Sequence, residues 1–255
     1  MTGPARAGEV ARTHEYPDVS VVMITRNEEG AIAKVINDAL SALPGCEVIV
    51  VDGSTDSTPS IAASLGARVI KEPPGGPAPA LLAALKVPKR PIVIMVDADD
   101  TYPPEAYAQL VELVRGGQDV AGTDRLGRRP PRTMPLLNWL ANLIFSLIAS
   151  ARAGRRLLDV HSGQRAYRRD VIDGFDWDTT RPAFPVDLLL WPAVAGYRIT
   201  EIPIEYRERI GSTTLVRWPG TVATLQRLVR PVRRATPVPL EDGTIGGSSD
   251  PGLPE

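Results

Sequence analysis

Apolar runs recur along the first half of the chain, each followed by a polar turn and then by a stretch with helical spacing. Positions 19–25, 46–51, 67–71 and 91–96 read as strands, and 119–122 begins a fifth. Between them, 28–42 sets Ile32, Val35, Ile36 and Leu40 on one helical face. Helical spacing returns over 57–65, 78–85 and 104–114, the last with prolines in its first turn, where proline is tolerated. Strands that are apolar throughout and alternate with helices predict an α/β fold, a mostly parallel sheet with helices on both faces.

After Gly122 the pattern changes. Positions 125–132 are basic and proline-rich, and 135–150 are apolar apart from Asn138, Asn142 and Ser146. Arg152, Arg155 and Arg156 follow, then a helix-like 187–194 and a strand over 197–206. No internal repeat is visible. The first 17 residues are polar and carry no apolar core of a signal peptide, and the end from 233 is rich in Pro, Gly and Ser; both are expected to be disordered. No window holds about 18 uninterrupted apolar residues, so no spanning helix is expected.

Composition narrows the classes. The 255 residues are 43% hydrophobic and 23% charged, with a net charge of -1, so nothing in the bulk charge points to nucleic acid. The single cysteine, Cys46, excludes an internal disulfide and fits a reducing compartment, hence a cytoplasmic location.

In parallel α/β sheets the ligand sits beyond the carboxyl ends of the strands. Three acidic segments fall at those ends: Asn27-Glu28-Glu29, Asp52-Gly53-Ser54-Thr55-Asp56 and Asp97-Ala98-Asp99-Asp100. In an extended segment Asp97 and Asp99 point the same way, which makes a site for a hard divalent cation that shares its oxygens with a phosphate. The alternative is a solvated acidic turn, with Asp100 capping the next helix. Placement after a buried strand favours the metal. Asp52 fits contact with a ribose hydroxyl or a base edge, whereas Asp56 fits an Asx-turn and helix cap better. His161 is either a third metal ligand or a loop histidine satisfied by hydrogen bonds.

Together the stretches 20–28, 50–56 and Asp97-Ala98-Asp99 resemble family 2 glycosyltransferases of the GT-A fold. The stretches 159–166 and 201–209 are similar to the dolichyl-phosphate mannose synthase branch, and the resemblance spans roughly 18–230. It implies one domain over 18–232, with 18–123 binding the nucleotide sugar and 124–232 building the acceptor side. It implies transfer of a hexose, with inversion, from a GDP-mannose or UDP-glucose type donor to a polyprenyl phosphate. Donor contacts would come from Thr25, Asn27, Glu28, Asp52, Ser54, Asp97 and Ala98. Mg2+ or Mn2+ would be held by Asp97 and Asp99. Arg165, Arg207 and Arg209 would hold the acceptor phosphate, and Asp99, Arg165 and Asp187 form the expected catalytic set. An acceptor hydroxyl instead of a phosphate would need a carboxylate base, for which Asp187 is placed.

Three departures from the family pattern stand out. Asp52 is followed by Gly53 rather than a second Asp, Gly75-Gly76-Pro77 replaces a Gly-Lys-Gly element, and Thr213-Thr214-Leu215 replaces Ser-Lys-Leu, with Arg217 nearby as a substitute cation. Leu136, Leu137, Leu140, Leu143, Ile144, Leu147 and Ile148 form an apolar stripe flanked by arginines, with Trp139 inside. This is the pattern of an interfacial membrane helix over 133–153 at the inner face of the cell membrane, or of a core or dimer helix.

Overall fold

The computed structural model describes residues 15–127, 132–210 and 217–234. Among them seven strands, β1 (Val19–Thr25), β2 (Glu47–Asp52), β3 (Arg68–Lys71), β4 (Ile92–Met95), β5 (Val120–Asp124), β6 (Arg165–Arg168) and β7 (Ile199–Pro203), form one sheet. Their order is β3-β2-β1-β4-β6-β5-β7. All neighbours are parallel except β6, which runs antiparallel between β4 and β5.

Alternation along each strand divides the core into two. Val19, Val21 and Met23 of β1, Val48 and Val50 of β2, and Ile92 and Ile94 of β4 face one side. There they meet α1 (Ile32–Ala42), α2 (Thr58–Ser64) and α4 (Glu105–Arg115). Val22, Ile49, Val51, Val93 and Met95 face the other side. That side is covered by α3 (Pro77–Lys86), α5 (Leu136–Ala153), the short α6 (Arg169–Asp173), α7 (Phe184–Val194) and α8 (Arg217–Val229). A strand buried on both faces must be apolar at every position, which is why these runs were legible.

Several expectations are corrected. Helix α1 begins at Ile32, and 28–31 forms a turn. Asp97 to Asp100 lie in a turn, so the turn and not strand alternation brings Asp97 and Asp99 together. Asp100 does not cap α4, whose N-cap position is Pro104. Instead Asp100 adopts φ +61°, and its carboxylate pairs with Lys34 at 2.7 Å and Arg207 at 3.9 Å. Order also begins before residue 18, because Tyr16 is buried and its N–H donates to Pro44 O at 2.7 Å. At the other end Arg234 bridges to Phe175. The rest of both expected disordered ends, together with Thr213-Thr214-Leu215, Arg128 and Arg129, lies outside the described residues, as does the side chain of Arg217.

Helix α5 is long and apolar enough to cross a membrane by length and composition, which the sequence reading did not anticipate. Only Phe145, Ser146 and Ala149 of it are buried; Leu136, Leu137, Leu140, Ile144 and Leu147 are exposed. Two of the arginines expected to flank it are engaged in the fold. Arg155 donates to the carbonyls of Tyr197 and Ile199, and Arg152 donates to those of Leu228 and Arg230 at the end of α8.

Helix α8 is fixed by a buried ion pair. Arg227 has no exposed surface; it pairs with Asp187 of α7 and donates to the carbonyls of Pro182 (2.6 Å) and Asp178 (3.0 Å). Burial pushes the Asp187 carboxyl up to about 6 against the pull of Arg227. A carboxyl whose folded pKa lies above its unfolded value gives stability that is present below the unfolded value and lost as pH rises through the folded one. Arg227→Met strips the counter-cation and is expected to cost about 3–5 kcal/mol at neutral pH. The loss should be larger at pH 8 than at pH 5, because the unpaired carboxyl is protonated at the lower pH. Urea denaturation midpoints at both pH values check this; an equal loss at both would count against the buried pair.

Candidate active site

The acidic segments converge at the carboxyl ends of β1, β2 and β4. Thr25, Asp52 and Lys71 share one row across three strands, since Thr25 registers with Asp52 and Asp52 with Lys71. Asp52 Oδ1 accepts hydrogen bonds from Thr25 Oγ1 (2.7 Å) and Ser54 Oγ (2.6 Å), and Oδ2 accepts one from Ser54 N (3.1 Å). Asn27, at φ +59°, ties the β1 turn to the β2 turn: its N–H donates to Ser54 Oγ and its Oδ1 accepts from Thr55 N. Asp56 accepts from Thr58 N and Thr58 Oγ1 as an Asx-turn at the start of α2.

Asp99 is buried and committed. Its Oδ1 accepts from Thr101 N (3.2 Å) and Oγ1 (2.6 Å), and its Oδ2 pairs with Arg209 at 3.0 Å. Arg209 also pairs with Glu28 at 2.5 Å. Burial raises the Glu28 carboxyl, and Arg209 pulls it back. The segment after β7 is laid along this turn by two backbone bonds, Arg207 N to Thr101 O (2.9 Å) and Ile210 N to Asp99 O (3.1 Å).

Asp97 is different. It is half-buried, and no residue among those described gives it a hydrogen bond or an ion pair. Burial and the neighbouring Asp99 charge push its carboxyl up to about 6. Of the cations that pull it back, Arg125 acts most strongly, ahead of Arg209 and Arg165. An acceptor-only group that has lost water and gained no donor suits a cation. The described residues hold no cluster of three or more His, Cys, Asp or Glu, so Asp97 and Asp99 would leave most positions on such an ion to phosphate and water.

Behind Asp97 lies the loop from α5 to β6. Gly163 packs so tightly on the carboxylate that a Cβ there would sit 2.1 Å from Asp97 Oδ2. The Gly163 N–H donates to Tyr102 Oη, and the Tyr102 ring meets Tyr206 edge-on at 5.6 Å. Arg125 lies over the Tyr206 ring at 5.3 Å and forks onto Asp159 with bonds of 2.6 and 3.0 Å. Burial works against the Asp159 charge, but Arg125 prevails and holds the carboxyl below its usual range. Glu201 anchors the loop by accepting from Leu158 N (2.7 Å) and Asp159 N (2.9 Å).

Two expected site residues are sealed away. Arg165 has no exposed surface; its guanidinium donates to the carbonyls of Pro185 (2.7 Å) and Val160 (2.8 Å), so it braces the loop and meets no acceptor phosphate from solvent. Asp187 is equally buried, paired with Arg227. His161 joins its Nε2 to Thr224 Oγ1 at 3.0 Å and packs its ring on Phe145, and burial lowers its pKa to about 4. Arg207 pairs with Glu105 at 3.3 Å and approaches Asp100, on the rim of the Asp97 turn. The sequence reading did not single out Arg125, Tyr102, Gly163 or Tyr206. Only the Tyr-Pro-Pro step after the acidic turn and the Ser-Gly step before Arg165 marked their neighbourhoods.

A model of glycosyl transferase family 2 matches residues 20–175, more than half of the chain. The chain belongs to that family. A dolichyl-phosphate hexose transferase of Haloferax volcanii is 41% identical over 218 residues, 85% of this chain and 95% of that protein. A polyprenol monophosphomannose synthase of Mycolicibacterium smegmatis is 29% identical over 224 residues, 80% and 83% of the two chains. Among solved structures, glucosyl-3-phosphoglycerate synthase of Mycobacterium tuberculosis, crystallised with Mn2+, UDP and phosphoglyceric acid, superposes with a TM-score of 0.64. It shares 25% identity, and the match covers 84% of this chain and 79% of that one. The sheet is thus the GT-A fold of a family 2 glycosyltransferase, and the protein is a glycosyltransferase enzyme.

In this family 2 domain Gly163 is the residue whose replacement tests the Asp97 pocket most directly. Gly163→Ala is expected to push the Asp97 carboxylate aside and lower sugar-transfer rate by roughly 100-fold, in line with loss of one preorganised charged group. Circular dichroism should be unchanged. Near-full activity of the alanine variant would mean that Asp97 has no work to do where it stands.

Proposed function

We propose that this glycosyltransferase moves a hexose from a nucleotide sugar to a polyprenyl phosphate, with a divalent cation seated between Asp97, Asp99 and the donor diphosphate. The observation that carries the reading is Asp97, a carboxylate without a protein partner among the described residues, surrounded by Arg125, Arg209 and Arg165. The acceptor class is supported by the 41% identical dolichyl-phosphate hexose transferase, which matches along nearly its whole length.

In this reading Thr25, Asn27, Ser54 and Asp52 form the floor for the nucleoside, held rigid by the hydrogen bonds between them. Ala98 is buried between the two aspartates, and its small side chain keeps that floor close to the donor. A divalent ion, Mg2+ or Mn2+, would offset the charge that grows on the departing diphosphate. Asp97 and Asp99 would hold the ion, and the Arg209 guanidinium beside Asp99 would lie next to the phosphates. The acceptor phosphate oxygen attacks the anomeric carbon as the bond from that carbon to the diphosphate oxygen breaks. The nucleoside diphosphate leaves, and the configuration inverts.

A phosphate is already anionic near neutral pH and needs no base. That agrees with the burial of Asp187 against Arg227, which withdraws Asp187 as a base for an acceptor hydroxyl. With Arg165 sealed in, Arg125, Arg207 and Arg209 are the cations placed to hold the acceptor. Nucleoside diphosphate release with Mn2+ should rise at least tenfold on adding detergent-dispersed polyprenyl phosphate. Asp97→Asn is expected to lower it by about 100-fold. Stimulation by a soluble hydroxyl compound alone would transfer the reading to hydroxyl acceptors.

Such an acceptor lies in a bilayer, and the exposed leucines of α5 supply a face for it. Leu137 and Leu147, 79% and 70% exposed, protrude furthest. Val222 and Leu225 of α8 are exposed as well, and Arg132 and Arg156 lie near the two ends of α5, a match for anionic headgroups on the cytoplasmic side. Burying a leucine in the acyl boundary contributes about 1.5–3 kcal/mol. The double change Leu137→Glu with Leu147→Glu is therefore expected to weaken cosedimentation with anionic vesicles at least tenfold. Unchanged vesicle binding would exclude this face.

A further inference from the structure

Beside Asp52 the surface opens into a cavity of about 540 Å3 lined by Arg26, Gly53, Lys71, Glu72, Pro74 and Gly75, among others. Glu72 follows β3, and its N–H donates to Asp52 O at 2.7 Å, extending the β2–β3 ladder by one step. Its side chain folds back over Gly53. A Cβ at position 53 would fall 1.8 Å from Glu72 Oε2, so the glycine that replaces an acidic residue of the family pattern is what admits this carboxylate to the cavity.

The two carboxylates in the cavity are not equivalent. Asp52 already accepts three hydrogen bonds from Thr25 and Ser54. Glu72 accepts none among the described residues. The cavity therefore offers a carboxylate with both oxygens free.

Such a carboxylate discriminates among bases. It asks for two neighbouring N–H donors. Guanine presents that edge: the 2-amino group and N1–H side by side, then O6. Uracil places a single N–H between two carbonyl oxygens, so a carboxylate that meets the N–H also meets a lone pair. Adenine and cytosine alternate one amino donor with a ring acceptor.

We infer that the nucleotide sugar carries guanine, and that Glu72 is the residue that selects it, forking onto N1–H and the 2-amino group. The inference rests on the nucleotide-sugar reading above. Glu72 determines specificity through the base and touches none of the reacting atoms.

Isothermal titration of the full chain with GDP, UDP and inosine diphosphate, each with Mn2+, tests it. GDP should bind at least tenfold tighter than UDP, and tighter than inosine diphosphate, which lacks the 2-amino group. Glu72→Gln should lose roughly tenfold for GDP and remove the difference between GDP and inosine diphosphate, while UDP binding and the thermal midpoint stay unchanged. UDP binding as tightly as GDP, or a Glu72→Gln variant that weakens all three equally, overturns the base assignment and leaves the transferase reading standing. Failure of every nucleoside diphosphate to bind overturns both.

Discussion

Two carboxylates one residue apart, at the mouth of a strand buried on both faces, repel each other in a place where water cannot screen them fully. Much of the surrounding structure answers that repulsion. Asp99 is neutralised by Arg209 and accepts hydrogen bonds from Thr101. Asp97 is left unmatched, held by close packing against Gly163 and moderated only at a distance by arginines. The segment after β7 is tied to the acidic turn by backbone bonds, so Arg207 and Arg209 arrive with it. A protein that needed only stability would have no reason to leave one charge of the pair uncompensated, since partly desolvated charges cost free energy. The asymmetry is what the proposed cation would relieve.

Arginine is put to two uses. Arg152, Arg155 and Arg165 spend their donors on backbone carbonyls at helix ends and loops, where several fixed N–H groups can satisfy several acceptors at once. Arg125, Arg207 and Arg209 instead meet carboxylates at the cleft. Both kinds look alike in sequence. The difference lies in whether the guanidinium is enclosed by carbonyl oxygens or bordered by acids that a phosphate can replace.

This explains how much was legible beforehand. The strands β1, β2 and β4 announced themselves because burial on both faces forces every position to be apolar. The acidic segments followed because ligand sites lie at the ends of such strands. Strand β6 stayed hidden: Arg-Ala-Tyr-Arg is four residues long with an arginine at each end, and only its pairing partners make it a strand. Helix α8 stayed hidden because its cohesion comes from Arg227 and not from an apolar run. Arg165 was singled out by its motif, but a motif fixes the residue type and not where its side chain points, and here the guanidinium turns into the fold. Glu72 and Arg125 gain meaning only from residues distant in sequence that fold against them.

The antiparallel strand carries a lesson about how this architecture can be divided. Strand β6 comes from the later half of the chain, yet it lies inside the sheet, between β4 and β5. The turns after β1, β2 and β4 and the loop before β6 are therefore stitched through one another. A fragment ending near residue 123 would lack the strand that completes its own sheet, exposing the open edge of β4 to aggregation. The two halves of this scaffold cannot be shuffled as exchangeable modules. They must change by substitution within loops, while the strand that joins the two halves stays in place.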